Sequence, residues 1–187
     1  MEQSVIDFCR QVRVRSAEHQ VALAILLEKD LFGVAVALLR LEIDSLIRVA
    51  FLCEQGASSQ VSRLLMENTV NGEQWAILTA DNRYSRITDR EMVNLASKDC
   101  LWVNIIYSFG CKLIHLSNLH DYKVSDPLVK IADEKRLEII KYLRQHHKYP
   151  DDEIDLPRLK AYLPKVMQKL VENVAYYVDK IESMNTL

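Results

Sequence analysis

Four glycines and four prolines in 187 residues leave the chain short of the residues that punctuate turns, strands and phosphate-cradling loops. That scarcity excludes collagen-like and linker-rich classes and argues against a glycine-rich nucleotide loop. An excess of either charge is also missing, because 24 Lys and Arg stand against 26 Asp and Glu for a formal net charge of -2. No overall basic field advertises nucleic acid, although a local patch is compatible with a near-neutral chain. The four cysteines, Cys9, Cys53, Cys100 and Cys111, lie far apart and form no CxxC pair. They exclude a disulfide scaffold and read as buried free thiols in a reducing compartment. No stretch approaches about 18 uninterrupted apolar residues, and the opening MEQSVIDFCR lacks the basic-then-apolar order of a secretion signal. The expectation is a cytoplasmic protein without a membrane segment.

What the chain has in quantity is apolar residues, 49% of the total, arranged at helical spacing. From Gln3 to Lys29 the positions Val5, Ile6, Cys9, Val12, Ala17, Val21, Ala24, Ile25 and Leu27 follow a period near 3.6 and predict a long amphipathic helix. Asp30 is placed to cap a second helix running to Gly56, and its apolar residues surround nearly the whole circumference. A helix that apolar belongs in the middle of a bundle. Ser58 or Ser59 can cap a third helix ended by Asn71-Gly72, and EQWAILTADNRYSRI reads as a short helix and a loop.

Thr88 with Glu91 forms a capping box that starts MVNLASK. Asp99 can restart or continue the helix through CLWVNIIYSFGCKLIHLSNLH, with a buried strand over residues 101–109 as the competing reading. Asp126-Pro127 marks an N-cap and N1 pair leading into LVKIADEKRLEIIKYLRQHH. After the polar loop KYPDDEIDLP, the rest is helical, with Pro164 either kinking that helix or opening its longer second segment. The fold class expected is therefore all-α, a single-domain bundle of six or seven helices over residues 1–187, with no strand-turn-strand signal.

The segment from Asn104 to His120 carries the most chemistry. Asn104, Ser108, Cys111 and His115 are spaced by 4, 3 and 4 residues, which on a helix makes one polar stripe between apolar neighbours. Such groups cost about 1–3 kcal/mol each when buried unpaired, so they must find partners or face a cavity. Two readings stay open: a satisfied core network, or a cleft in which His115 is an acid/base. Cys111 and His115 also sit at i,i+4, but two ligands alone do not assign a metal site. The second helix adds Arg40, Asp44 and Arg48 at i, i+4, i+8, with Glu42 between them, inside an otherwise apolar run. Arg40 and Glu42 are expected to meet charges on other helices, with at least two of the four charges buried and paired. The C-terminal Tyr and Lys positions, Tyr162 to Lys180, read as a packed face beside a solvated one.

ALLRLEIDSLIRVAFL, followed about 70 residues later by YSFGCKLIHLSNLHDY, resembles the HEPN superfamily over roughly residues 20 to 125. The resemblance implies an all-α bundle in which an Arg- and Glu-bearing helix pairs with a later helix carrying the motif histidine. Family ribonucleases pair that histidine with an Arg separated from it by four to six intervening residues, across a dimer interface and without metal. His115 matches the histidine, but residues 108 to 110 are Ser, Phe and Gly, and Lys112 is too close to take the Arg position. The non-catalytic, nucleotide- or protein-binding members are then the better comparison. Two functions are expected: a HEPN-like, homodimeric interaction or ligand-binding protein in a defence or toxin-antitoxin setting, with a protein or RNA partner; or a metal-independent ribonuclease. In the second, His115 is the general acid/base, Arg40, Arg48 or Lys112 stabilises the transition state, and Ser108 or Asn104 orients the histidine. Neither reading calls for a cofactor or a metal.

Overall fold

A computed structural model of the chain describes residues 1–78, 81–96, 107, 111 and 118–186. The fold is all-α, with six α-helices among the described residues: α1 (Gln3–Glu28), α2 (Phe32–Glu54), α3 (Gln60–Val70), α4 (Asp89–Ala96), α5 (Asp133–His147) and α6 (Leu156–Thr186). Two short 3-10 turns, Asn118–Asp121 and Pro127–Lys130, precede α5. Asn104, Ser108 and His115, and the question of helix or strand over residues 101–109, lie outside the described residues.

Helix α2 is the centre, as its all-round apolar circumference predicts. Fifteen of its 23 residues are buried, and it packs against α1, α4 and α6. Helix α1 contributes Val5, Cys9, Val12 and Leu23 to the core, and α6 contributes Leu163, Val166, Met167, Leu170, Val174, Val178 and Ile181, one stripe at helical spacing. At the far end of α6, Asn185 Nδ2 donates to the Ala57 carbonyl at 2.9 Å and ties the C-terminal turn to the α2–α3 connection. That connection turns on Gly56 at φ 81°, and α3 is followed by Gly72 at φ 74°, two left-handed positions that glycine takes without a Cβ penalty. Ser59 caps α3 by accepting from the Ser62 amide at 3.2 Å.

Several local expectations are corrected. Asp30 does not cap α2, because its own backbone is left-handed (φ 53°) and Leu31 takes the N-cap position. The Asp30 carboxylate instead accepts from Lys160 Nζ at 2.5 Å, joining the α1–α2 turn to α6. EQWAILTADNRYSRI contains no helix among its described residues and forms an antiparallel hairpin, β1 (Ala76–Leu78) paired with β2 (Tyr84–Arg86) in the register Ala76↔Arg86, Ile77↔Ser85, Leu78↔Tyr84. Asp126 does cap at Pro127, accepting from the Leu128 amide at 2.8 Å, but the turn it starts ends at Lys130 and α5 begins separately at Asp133. The other Asp126 oxygen accepts from the Leu156 amide at 2.9 Å and anchors the start of α6. Helix α6 runs without interruption through Pro164, so that proline does not open a second segment.

The thiols follow the apolar packing. Cys9 and Cys53 are buried and free, and Cys111 is half-buried. Burial, with Glu182 nearby, pushes the Cys9 thiol up to about 12, and burial pushes Cys53 up to about 11. Both therefore stay protonated and non-nucleophilic near neutrality. In the native protein at about pH 8, Cys9 and Cys53 are expected to resist a disulfide-exchange reagent and to react only on unfolding, as read by mass mapping of labelled peptides. Native-state labelling at the rate of a free thiol would contradict this packing.

Candidate functional site: an arginine-lined pocket beside the central helix

Arg40 and Arg48 are two turns apart on α2 and so share a face. Both turn toward the start of α4, where the two oxygens of Asp89 receive them: Arg40 Nη2 lies 3.4 Å from Oδ2 and Arg48 Nη2 lies 3.6 Å from Oδ1. A carboxylate in the first turn of a helix is favoured by the positive end of the helix dipole. Arg48 Nε also donates to Asp44 at 3.1 Å, the i,i+4 pair of its own helix. Each guanidinium is laid on an aromatic ring, Arg40 at 3.8 Å from the Tyr107 centroid and Arg48 at 5.0 Å from the Trp75 centroid.

The two arginines differ in access. Arg40 is 7% exposed, and its Nε is buried without a hydrogen-bond partner. Burial opposes its charge, but the Cys111 thiol and the Tyr107 phenol together hold its pKa above the usual guanidinium value. Arg48 is half-buried and lines an open cavity of about 670 Å³ between α2, the end of α3, the hairpin and α4. Arg86 and Arg90 add two more guanidinium groups to that cavity, facing Glu73 and Asp89 as its acids, with Thr69, Gln74 and Thr88 between them. Among the described residues, neither Arg86 nor Arg90 is held in an ion pair. A second open cavity, about 500 Å³, lies across Arg48 between α1 and α2 and shares Arg48 and Thr69 with the first.

Local sequence explains this construction. The expected capping box is present, with the Thr88 amide donating to Glu91 Oε2 at 2.7 Å and the Glu91 amide donating to Thr88 Oγ1 at 3.3 Å. It fixes where α4 starts, and hence where Asp89 and Arg90 stand. The hairpin is held behind the cavity by Trp75, which is buried and donates from Nε1 to Thr69 Oγ1 at 2.8 Å, and by the Ile87 amide, which extends the ladder by donating to the Trp75 carbonyl at 3.0 Å.

The buried charges of α2 behave as their setting in an apolar run requires. Two residues apart, Arg40 and Glu42 point to nearly opposite sides, Arg40 to α4 and Glu42 to α1. Glu42 is fully buried, accepts from the Ser16 hydroxyl and lies 2.7 Å from His19 Nδ1. Both groups bond the carboxylate and not each other, so the order of a nucleophilic relay, hydroxyl to imidazole to acid, is absent among these described residues.

Of the four residues expected to form a catalytic set, Arg40 is described and is enclosed by Asp89 and Tyr107, whereas Asn104, Ser108 and His115 fall outside the described residues. Cys111, a member of the same polar stripe, is described and reaches Arg40. Further along, Tyr122 packs edge-on against Phe32 at 5.4 Å and covers Gly33, where an added Cβ would come within 3.2 Å of its ring. Sequence reasoning missed Ser16, His19, Trp75, Arg86 and Arg90. The first two were legible, because Val5, Cys9, Val12, Ser16, His19 and Leu23 recur at steps of four and three, and two consecutive seam positions are polar.

Among the described residues, no group of three or more His, Cys, Asp or Glu side chains is placed to hold a metal ion, and no helix is long and apolar enough to cross a membrane. No protein-family model, curated protein or solved structure matches the chain.

Proposed function

We propose that the chain is a HEPN-like helical interaction or ligand-binding protein that recognises an anionic group in the cavity beside Arg48. The observation that carries this reading is the convergence of Arg48, Arg86 and Arg90 on one open cavity, where Arg86 and Arg90 have no ion-pair partner among the described residues. Guanidinium groups offer planar, paired donors that match carboxylate and phosphate oxygens. Two such charges without a partner among the described residues do nothing for stability, and Arg90 stands at the unfavourable end of a helix dipole. A homodimer belongs to the same reading, supported by Val14, Val21 and Ile25 on one outward face of α1 and Val34 and Leu41 on α2, all exposed. So do a cytoplasmic location and a defence or toxin-antitoxin setting. The ribonuclease reading is less favoured, because the Arg40 charge is committed to Asp89 and Tyr107 inside the protein.

Pyrophosphate, a compact multivalent anion, tests the cavity directly. In two-dimensional amide NMR it is expected to shift Thr69, Gly72, Gln74, Thr88 and Arg90 in the wild type, with a dissociation constant below about 1 mM. Arg90→Glu is expected to abolish those shifts without altering the rest of the spectrum. Shifts scattered over arginines elsewhere, or none at all, would remove the reading.

A further inference from the structure

The hairpin presents a second kind of surface next to the arginine cavity. Strand residues alternate between faces, so the pairing of Ala76 with Arg86 and Leu78 with Tyr84 puts these four on one side. Ile77, on the other side, packs against the core and thereby turns that set outward. Leu78 is 56% exposed and Tyr84 73% exposed, directly opposite each other. A cross-strand aliphatic–aromatic pair contributes to a hairpin by its own contact, yet this one leaves most of both side chains in water. Arg86 follows Tyr84 on the same face at about 7 Å by strand rise and reaches into the cavity with Arg48 and Arg90.

We propose that this face and the cavity together dock an acidic segment of a protein partner, with one apolar side chain seated on Leu78 and Tyr84 and flanking carboxylates on Arg86, Arg90 and Arg48. The inference rests on the anion-recognising cavity proposed above and names the partner's chemistry. Charge complementarity selects an acidic segment, and the apolar pair selects an anchor within it. Tyr and Arg are among the residues enriched where binding energy concentrates at protein interfaces. A nucleic acid would use the Tyr84 ring and the arginines but has nothing to place on Leu78. Addition of a peptide strand to the sheet edge is disfavoured, because each strand is three residues long and offers few main-chain bonds.

The test is fluorescence anisotropy with the full chain and three labelled probes, EDELWEDE, EDEGGEDE and KRKLWKRK, beside an oligouridine of about eight nucleotides. EDELWEDE is expected to bind at least about tenfold tighter than EDEGGEDE, and KRKLWKRK not to bind. Tyr84→Ala is expected to reduce EDELWEDE to the affinity of EDEGGEDE, and Arg86→Glu to abolish both. Both positions are exposed, and an unchanged helical circular dichroism spectrum confirms that each variant is folded. Equal binding of EDELWEDE and EDEGGEDE, or no effect of Tyr84→Ala, would overturn the proposal. So would tighter binding of the oligouridine with the same dependence on Tyr84. If pyrophosphate still perturbs the cavity in those cases, the anion site stands and only the partner class falls; if pyrophosphate fails as well, both fall.

Discussion

Replacing Glu42 with alanine is expected to destabilise the protein by roughly 3–5 kcal/mol, read as a lowered denaturation midpoint in urea, with a fall in Tm of about 10 °C. Glu42 is fully buried and is the shared acceptor of Ser16 and His19. Its removal leaves a hydroxyl and an imidazole inside the α1–α2 interface without that acceptor, each carrying the full cost of lost solvation, and adds a cavity. A companion variant separates the two contributions. Ser16→Ala, His19→Leu and Glu42→Leu made together replace the whole polar cluster with apolar groups of similar bulk, and this triple variant is expected to be near wild-type stability or above it. A loss below about 1 kcal/mol for Glu42→Ala would mean that the cluster is hydrated and the helix interface looser than described.

The features legible in the sequence are those set by local chemistry or by a long period. The circumference of α2 announced a central helix, Gly56 and Gly72 announced helix ends, and Thr88 with Glu91 announced the start of α4. The expectation that Arg40 and Glu42 find partners on other helices follows from the cost of a lone buried polar group: Arg40 meets the Asp89 carboxylate, and Glu42 meets the His19 imidazole and the Ser16 hydroxyl. Features decided by tertiary contact were not legible. The hairpin strands Ala76–Leu78 and Tyr84–Arg86 are too short to show alternation, and the hairpin holds because Trp75, Ile77 and Ile87 reach the core. Asp30 had the composition of a cap but is drawn to Lys160, 130 residues away in sequence. Asp126-Pro127 had the signature of an α-helix start, yet Asp133 and Glu134, acids in a first turn, were the better signal for α5. The candidate site was half legible. Arg40 and Arg48 stood out as charges in an apolar run, whereas Arg86 and Arg90 join them only through the fold of the hairpin and the start of α4.

Arg40 gives the second large effect, and its substitutions distinguish charge from shape. Arg40→Ala is expected to cost about 2–4 kcal/mol, combining a desolvated cation–π contact, the packing of the aliphatic stem and the bond to Asp89. Arg40→Lys keeps the charge and is expected to recover less than half of that. An ammonium cannot lie flat on the Tyr107 ring and reach Asp89 at once, whereas the planar guanidinium does both. Tyr107→Phe, which preserves the ring face, is expected to be mild, and Tyr107→Leu to approach the cost of Arg40→Lys. Recovery of full stability by lysine would show that Arg40 acts as a point charge and that the stacking carries little. The same variants reach the cavity, because Asp89 is shared: without Arg40, its carboxylate is free to draw in Arg48, at present 3.6 Å away. Arg48 then has less charge to offer an anion, so pyrophosphate is expected to bind more weakly to Arg40→Ala than to the wild type, although Arg40 itself lies buried behind the site.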